Sequence, residues 1–388
     1  MVTKIINARI VLPDKILDGA TLYAEDGYIS SIGAEQRVRA DAVYDAEDGY
    51  LLAGFIDIHS HGGGGYDFMD ASPEEMLKIS DFHLSHGTTT LVATTLTDSW
   101  ESIEAALDRF AELGEQRGTL HGVHLEGPWF SPLQCGAQDT DTMDLPTVEK
   151  LEYLVKKYPF IERISLAPEI DEGFKVAKRA KELGLVVAMG HTDADFDIAT
   201  EAARSGYGLV THVYSGMRGV VRVNAYRVAG AVEAALYDDL LTTEVIADGK
   251  HLPAGLLKLI AKCKGADRIC LITDSTRGAG ADDGEEIMLG KLVGGTRAII
   301  EDGVAKLPDR TAFAGSVATA DRLLRTMYSL TDASLIDISK MLSATPARVM
   351  GYTNRGRIEV GLRADLVLVD GELNVKKVFL KGEPVGGK

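Results

Sequence analysis

The sequence predicts an α/β fold: a (β/α)8 TIM-like barrel with a small β-sandwich domain formed by both termini. Three observations carry that expectation. Short strand-like stretches broken by Gly and Asp occupy the first ~50 residues and return after about residue 355. Between them, short apolar runs alternate with helix-like segments. There are about eight such runs, the number that closes a parallel barrel. The expected boundaries are 1–52 and 355–388 for the two parts of the small domain, and 53–354 for the barrel.

In chain order, TKIINARIVL, GATLYAEDG and YISSIG open the small domain, and GRIEVGLRADLVLVDGELNVKKVFLKGEPV closes it. The barrel strands are expected at FIDIH (55–59), TTLVATT (89–95), GVHLE (122–126), RISLAPE (163–169), LVVAMGH (185–191), LVTHVY (209–214), TEVIAD (243–248) and ICLITD (269–274). Their Val, Ile and Leu content suits strands covered on both faces. Helix starts are marked by a capping box at Ser72-Pro73-Glu74-Glu75, by the weaker Thr192/Asp195 pair, and by Pro146 and Pro253. Two further helices are expected at 316–329 and 333–342.

Composition narrows the function. The 388 residues hold 41 Lys+Arg against 58 Asp+Glu, a net charge of −17. That excess repels nucleic acid and anionic membrane surfaces. No apolar run reaches the roughly 18 residues that span a bilayer, and the N-terminus lacks the apolar core of a signal peptide. Three cysteines (Cys135, Cys263, Cys270) form neither a disulfide framework nor a Cys-based zinc site. A cytoplasmic protein is expected.

The metal-capable residues fall on the expected strand ends. His59 ends the first strand, with His61 two residues on; Glu126 ends the third, His191 the fifth and Asp274 the eighth, and His212 falls within the sixth. In a parallel barrel those ends converge on one mouth, and imidazole with carboxylate suits zinc or another divalent transition ion. Read singly, each has a plain structural reading. His-x-His can be two polar residues at a strand end, His191 and Asp274 can cap helices, and Glu126-Gly127-Pro128 can be a turn. Six together point to a metal site.

Other residues take structural roles. His83 and His86 sit near the end of the helix opened by the capping box, where they would meet its dipole. His121 starts a strand and is read as structural. His124 stands two before Glu126 as an outer partner of the site or a packed core residue. Gly62–Gly65 lacks phosphate-loop spacing and is read as a loop passing close to a ligand or metal. Ser316 is read as a helix cap, and Cys135 has no evident activating base.

The motifs AGFIDIHSHGGGGYDF, HLEGPWFS, LAPE, GHTDADF, THVYSGM, IADGKHLP, LITDS, AFAGS and ATPARVMG…GRIEVGLRADLVLVD stand in the order seen in N-acetylglucosamine-6-phosphate deacetylases of the amidohydrolase superfamily. The chain resembles that family along essentially its whole length. The resemblance implies that Glu126, His191 and His212 hold the principal metal. His59 and His61 would add a second ion, with Glu126 as a bridge. One or two divalent ions are expected: zinc first, with iron, cobalt or manganese as alternatives. Asp274 resembles the catalytic aspartate, the general base and acid for the attacking water, and His251 the histidine that contacts the acetyl group or sugar. Ala137, Gln138, Ser215, Gly216, Phe313, Ala314 and Gly315 occupy substrate-contacting loops.

The sequence departs from the family where the phosphate is read. Gln138 stands where His is frequent, and Ser215-Gly216 where Asn-Ala is frequent. RGVVRVNAYRVAG replaces the usual Arg-Glu-Pro-Gly context, leaving Arg222 and Arg227 as phosphate candidates against a plain reading as solvated or subunit-contact residues. The resemblance implies hydrolysis of the acetamide of N-acetylglucosamine 6-phosphate by a homodimer. The alternatives are another N-acyl sugar or N-acyl amino acid, a cyclic-amide hydrolase, and a catalytically inactive metal-binding barrel.

Overall fold

A computed structural model describes residues 1–386 except Glu35 and Arg37. Eight parallel strands form the barrel: Phe55–Ser60, Thr88–Thr94, Leu120–Glu126, Ile161–Leu166, Val186–Met189, Leu209–Val210, Thr242–Val245 and Ile269–Leu271. Each pairs with the next in chain order. A parallel bridge between Ser60 and Ser275 draws the eighth strand's exit to the first. The main-chain N–H of Asp274 also donates to the His59 carbonyl at 2.9 Å.

Every expected strand is present, and the later ones are shorter than expected. His191, His212 and Asp274 lie in the first turns beyond their strands, because their backbones leave the extended region: φ is 45° at His191, 25° at His212 and 48° at Asp274. A non-glycine residue held there costs of order 1–3 kcal/mol and clusters at functional sites.

Most helix signals hold at or within a residue or two of their starts. Ser72 caps Pro73–Ser85 with its capping box complete, and Asp195 rather than Thr192 caps Phe196–Arg204. Thr147 and Pro253 precede Val148–Lys157 and Ala254–Lys264. Ser316 is no helix cap. Its hydroxyl donates to the Thr273 carbonyl and accepts from the Ala318 N–H, and the next helix, Ala320–Leu330, begins later. The helix expected at 333–342 begins at Leu335.

Both termini meet in one sheet-rich unit. Strands Val2–Val11, Ile16–Glu25, Tyr28–Gly33, Ala42–Asp45 and Tyr50–Ala53 share a hydrogen-bonded set with Leu366–Val369, Val375–Leu380 and Glu383–Gly386. The unit has its own core, including Ile5, Ile10, Leu22, Leu51, Leu366 and Phe379. Inside the barrel, Ile56, Val92, Ala188, Leu209 and Cys270 come from the first, second, fifth, sixth and eighth strands and meet in one buried cluster. They form the floor beneath the polar mouth.

Candidate metal centre

The first strand's register against the second shifts between Asp57 and Ser60. Such irregularities re-aim side chains next to active sites, and His59 and His61 follow at this one. Their rings lie 5.3 Å apart. Glu126, at the end of the third strand, is the hub. Its Oε1 is 2.9 Å from His212 Nε2, 3.4 Å from His59 Nε2 and 3.5 Å from His191 Nε2, and its Oε2 is 3.2 Å from His61 Nε2. Asp274 Oδ1 stands 3.2 Å from His61 Nε2 and 3.5 Å from His59 Nε2.

The structure therefore brings all six sequence-predicted residues together from five barrel strands and the turns beyond them. Among the described residues, two overlapping groups could each hold an ion: His59, His61 and Asp274, and His59, Glu126 and His212.

The ring nitrogens fit a metal. A carboxylate or carbonyl oxygen only accepts, so the nitrogen facing one carries the proton. His59 Nδ1 therefore donates to Glu244 Oε2 at 3.1 Å, and His191 Nδ1 to the Gln134 carbonyl at 2.9 Å. Both rings turn Nε2 toward Glu126. His59 Nε2 is buried with no hydrogen-bond partner, and a donor set of imidazole and carboxylate around such an atom suits a divalent ion.

Electrostatics agree. Burial would lower the His59 pKa, but Glu126, Glu244 and Asp274 outweigh it and raise it to about 9. His61 is held well above its ordinary value against the same burial, by Asp274 and Glu126. Burial would raise the Glu126 and Asp274 carboxyls; the charge of His59, with the other histidines, holds both below the usual range. In the metal-free protein, protons thus occupy the place of a cation.

A pH prediction follows. An entering ion must displace those protons. The dissociation constant for zinc, measured by chelator competition, is expected to fall by about tenfold or more per pH unit between pH 6.5 and 9. Metal-free stability should run the other way. A raised His59 pKa stabilises fully below pH 6.5, and that contribution is lost as pH rises through about 9. A flat zinc affinity across this range would contradict the assignment.

A cavity of about 290 Å³ opens above the cluster. Of the substrate-loop residues expected, Ala137, Gln138, Ser215, Gly216, His251, Phe313 and Gly315 line it. Ala314 does not; it is buried behind the wall, where its N–H donates to the Ala305 carbonyl. Arg222 and Arg227 also lie outside the lining, paired across an exposed hairpin formed by Val221–Val223 and Tyr226–Val228.

Gln138 is tied to the metal cluster. Its amide donates to Glu126 Oε2 at 2.9 Å and accepts from the Thr97 N–H. His251 Nδ1 donates to Asp248 at 2.8 Å, and its ring lies 4.6 Å from that of Phe313.

Two structural readings change, and a third, that of His124, is filled in. His83 stands in the last turn of its helix but not as a cation facing the dipole: it is fully buried, which pushes its pKa down to about 4, with Nε2 2.9 Å from the Gly62 carbonyl. The glycine run is outside the cavity lining. Glycine is required there by close packing, since a Cβ on Gly62 would lie 2.1 Å from the Tyr66 carbonyl, and one on Gly63 2.7 Å from Phe82. His124 packs its ring 4.7 Å from that of His59 and bonds Ser165 Oγ at 2.6 Å. Burial, with Arg163 and His59 nearby, drives its pKa well below the ordinary value, leaving a neutral ring beneath the centre.

Sequence reasoning missed Arg163 and Glu244, each fully buried. The available signal was a charged residue set within a stretch expected to be covered on both faces, Arg163 in ERISL and Glu244 in TTEVI.

Comparison with known proteins agrees with this architecture. The profile of the amidohydrolase family matches residues 50–385. The chain is 34% identical over 372 residues to N-acetylglucosamine-6-phosphate deacetylase of Lysinibacillus sphaericus, covering 93% of this chain and 92% of the relative. It is 30% identical to N-acetylgalactosamine-6-phosphate deacetylase of Escherichia coli O157:H7, covering 98% and 99%. An aspartate-to-alanine variant of N-acetyl-D-glucosamine-6-phosphate deacetylase from Mycobacterium smegmatis, solved with N-acetyl-D-glucosamine 6-phosphate, superposes with a TM-score of 0.90 at 28% identity, covering 100% of this chain and 99% of that one. The barrel, its mouth of histidines and carboxylates, and these likenesses along nearly the whole chain make it a member of the amidohydrolase family, among the N-acetylglucosamine-6-phosphate deacetylases.

Proposed function

We propose that the chain hydrolyses the acetamide of N-acetylglucosamine 6-phosphate, releasing acetate and glucosamine 6-phosphate. One observation carries the reading: a buried carboxylate hub ringed by four imidazoles and faced by Asp274, under a cavity of sugar size. Zinc is the ion that best suits these ligands. Glu126, His191 and His212 would hold one ion, and His59, His61 and Asp274 a second that Glu126 bridges. When bound, the metal supplies Lewis-acid polarisation and an activated water.

The chain's own residues do the rest. Asp274, held ionised beside His61, takes the proton of the attacking water and delivers it to the departing amine. His251, fixed by Asp248 with Nδ1 protonated, turns Nε2 toward the substrate and orients the sugar or the developing oxyanion. Gln138 keeps Glu126 in place by its 2.9 Å bond, and Phe313 and Leu289 close the apolar side of the cavity.

The test is direct. Chelated protein should release no acetate from N-acetylglucosamine 6-phosphate, and added zinc should restore release. Turnover that survives complete metal removal would overturn the reading.

The phosphate needs a further element, because among the described residues neither Lys nor Arg lines the cavity. The hairpin bearing Arg222 and Arg227 also exposes Val220, Val223 and Tyr226, which suits it to cover a second copy of this chain as a homodimer. It would then bring an arginine to the partner's phosphate. Replacing both arginines by alanine is expected to lower kcat/KM for the phosphorylated sugar by roughly 10–100-fold, the worth of one or two charged hydrogen bonds. The unphosphorylated sugar should be unaffected. An equal loss on both substrates would refute the role.

A further inference from the structure

Beneath the centre lies a charged pair that a stability argument leaves unexplained. Arg163 on the fourth strand and Glu244 on the seventh are both fully buried and hydrogen-bonded to each other. Burying such a pair is costly, and well-packed apolar residues in its place are often neutral or stabilising. Its contacts are specific. Glu244 Oε2 accepts from His59 Nδ1 at 3.1 Å and from the main-chain N–H of His212 at 3.3 Å. Arg163 Nη1 donates to the Ile58 carbonyl at 2.9 Å, and Nη2 reaches Thr211 Oγ1 at 3.5 Å. Each member thus grips His59 or His212, or the residue just before it.

His59 is the one residue common to both metal-capable groups, and His212 is held with φ at 25°. We infer that Glu244, anchored by Arg163, is a positioning residue. It fixes the His59 ring with Nδ1 protonated and Nε2 aimed at the ions, and it holds the His212 turn, so that one buried carboxylate serves both metal positions. This rests on the metal-centre reading above. It adds that the affinity of both positions depends on a carboxylate that touches neither ion.

Chelator competition on refolded, metal-free protein tests it. The comparison uses wild type, the double variant Arg163→Met/Glu244→Gln and the double variant Arg163→Met/Glu244→Leu. Neither double variant leaves a lone buried charge. The leucine variant, with no acceptor for His59, should bind zinc 10–100-fold more weakly, the usual cost of losing such an outer partner. The glutamine variant, whose amide oxygen still accepts, should recover part of that loss. Wild-type affinity in both variants would overturn the inference while leaving the metal centre standing. A wild type that binds no zinc would overturn both.

A second measurement needs no change at the pair. In zinc-loaded protein labelled with 15N-histidine, the His59 signal, assigned by its loss in His59→Asn, should show a retained Nδ1 proton and a metal-shifted Nε2. A ring bound through Nδ1, or lacking that proton, contradicts the inference even if neither double variant folds.

Discussion

Asp274→Asn is expected to lower kcat on N-acetylglucosamine 6-phosphate by roughly 10³-fold or more, in the upper range for loss of a positioned acid–base group. The substitution is nearly isosteric. Main-chain bonds hold the residue on both sides, from its N–H to the His59 carbonyl and from the Ser316 N–H to its own carbonyl. The fold should therefore survive. The Asn variant keeps an oxygen near His61, so metal should still bind at saturating zinc. Steady-state kinetics with metal analysis on the same sample separates the effects. A bound metal with turnover lost supports the proton-transfer role, and retained turnover refutes it.

Glu126→Gln should have a still broader effect. Glu126 is the residue within 3.5 Å of four imidazoles, and its charge offsets theirs. Replacing it removes the bridge between the two metal positions, and the amide N–H₂ group cannot accept from a ring or bind a cation. Bound metal should fall toward zero at concentrations that saturate wild type. Activity should fall at least about 10³-fold with the several kcal/mol that a metal contributes to the transition state. The metal-free variant should also be less stable than metal-free wild type, because breaking a buried charged set costs roughly 3–5 kcal/mol. Wild-type metal content in this variant would remove Glu126 from the centre.

Much of this centre was legible in the residues. Eight Val/Ile/Leu-rich runs each gave a strand, because a doubly covered parallel strand needs a continuous apolar run. The metal-capable residues followed those runs because a barrel gathers its C-terminal strand ends at one mouth. The strand ends themselves were less legible. His191, His212 and Asp274 stand in left-handed turns just past shortened strands, and a β-rich run such as LVTHVY carries no mark of where its backbone turns. His83 was misread because helix position alone does not reveal a burial partner 21 positions away in another element. Its contact with Gly62 depends on how the glycine hairpin packs on the helix.

Arg163 and Glu244 illustrate the opposite problem. They are 81 positions apart, belong to no motif, and acquire meaning only when the barrel closes. Gln138 was placed on a substrate loop by resemblance, and its bond to Glu126 also makes it part of the metal cluster's surroundings. On the proposed reading the arginines take their meaning from a second chain: the hairpin that carries them is exposed, and among the described residues no Lys or Arg lines the cavity they would serve.

The measurement that tests the central claim most directly is a steady-state comparison on zinc-replete enzyme of N-acetylglucosamine 6-phosphate with unphosphorylated N-acetylglucosamine. The expected result is acetate release with a kcat/KM preference of roughly 100-fold or more for the phosphorylated sugar. Equal turnover of both sugars, or none of either, would contradict it and move the substrate of this centre to another N-acyl compound.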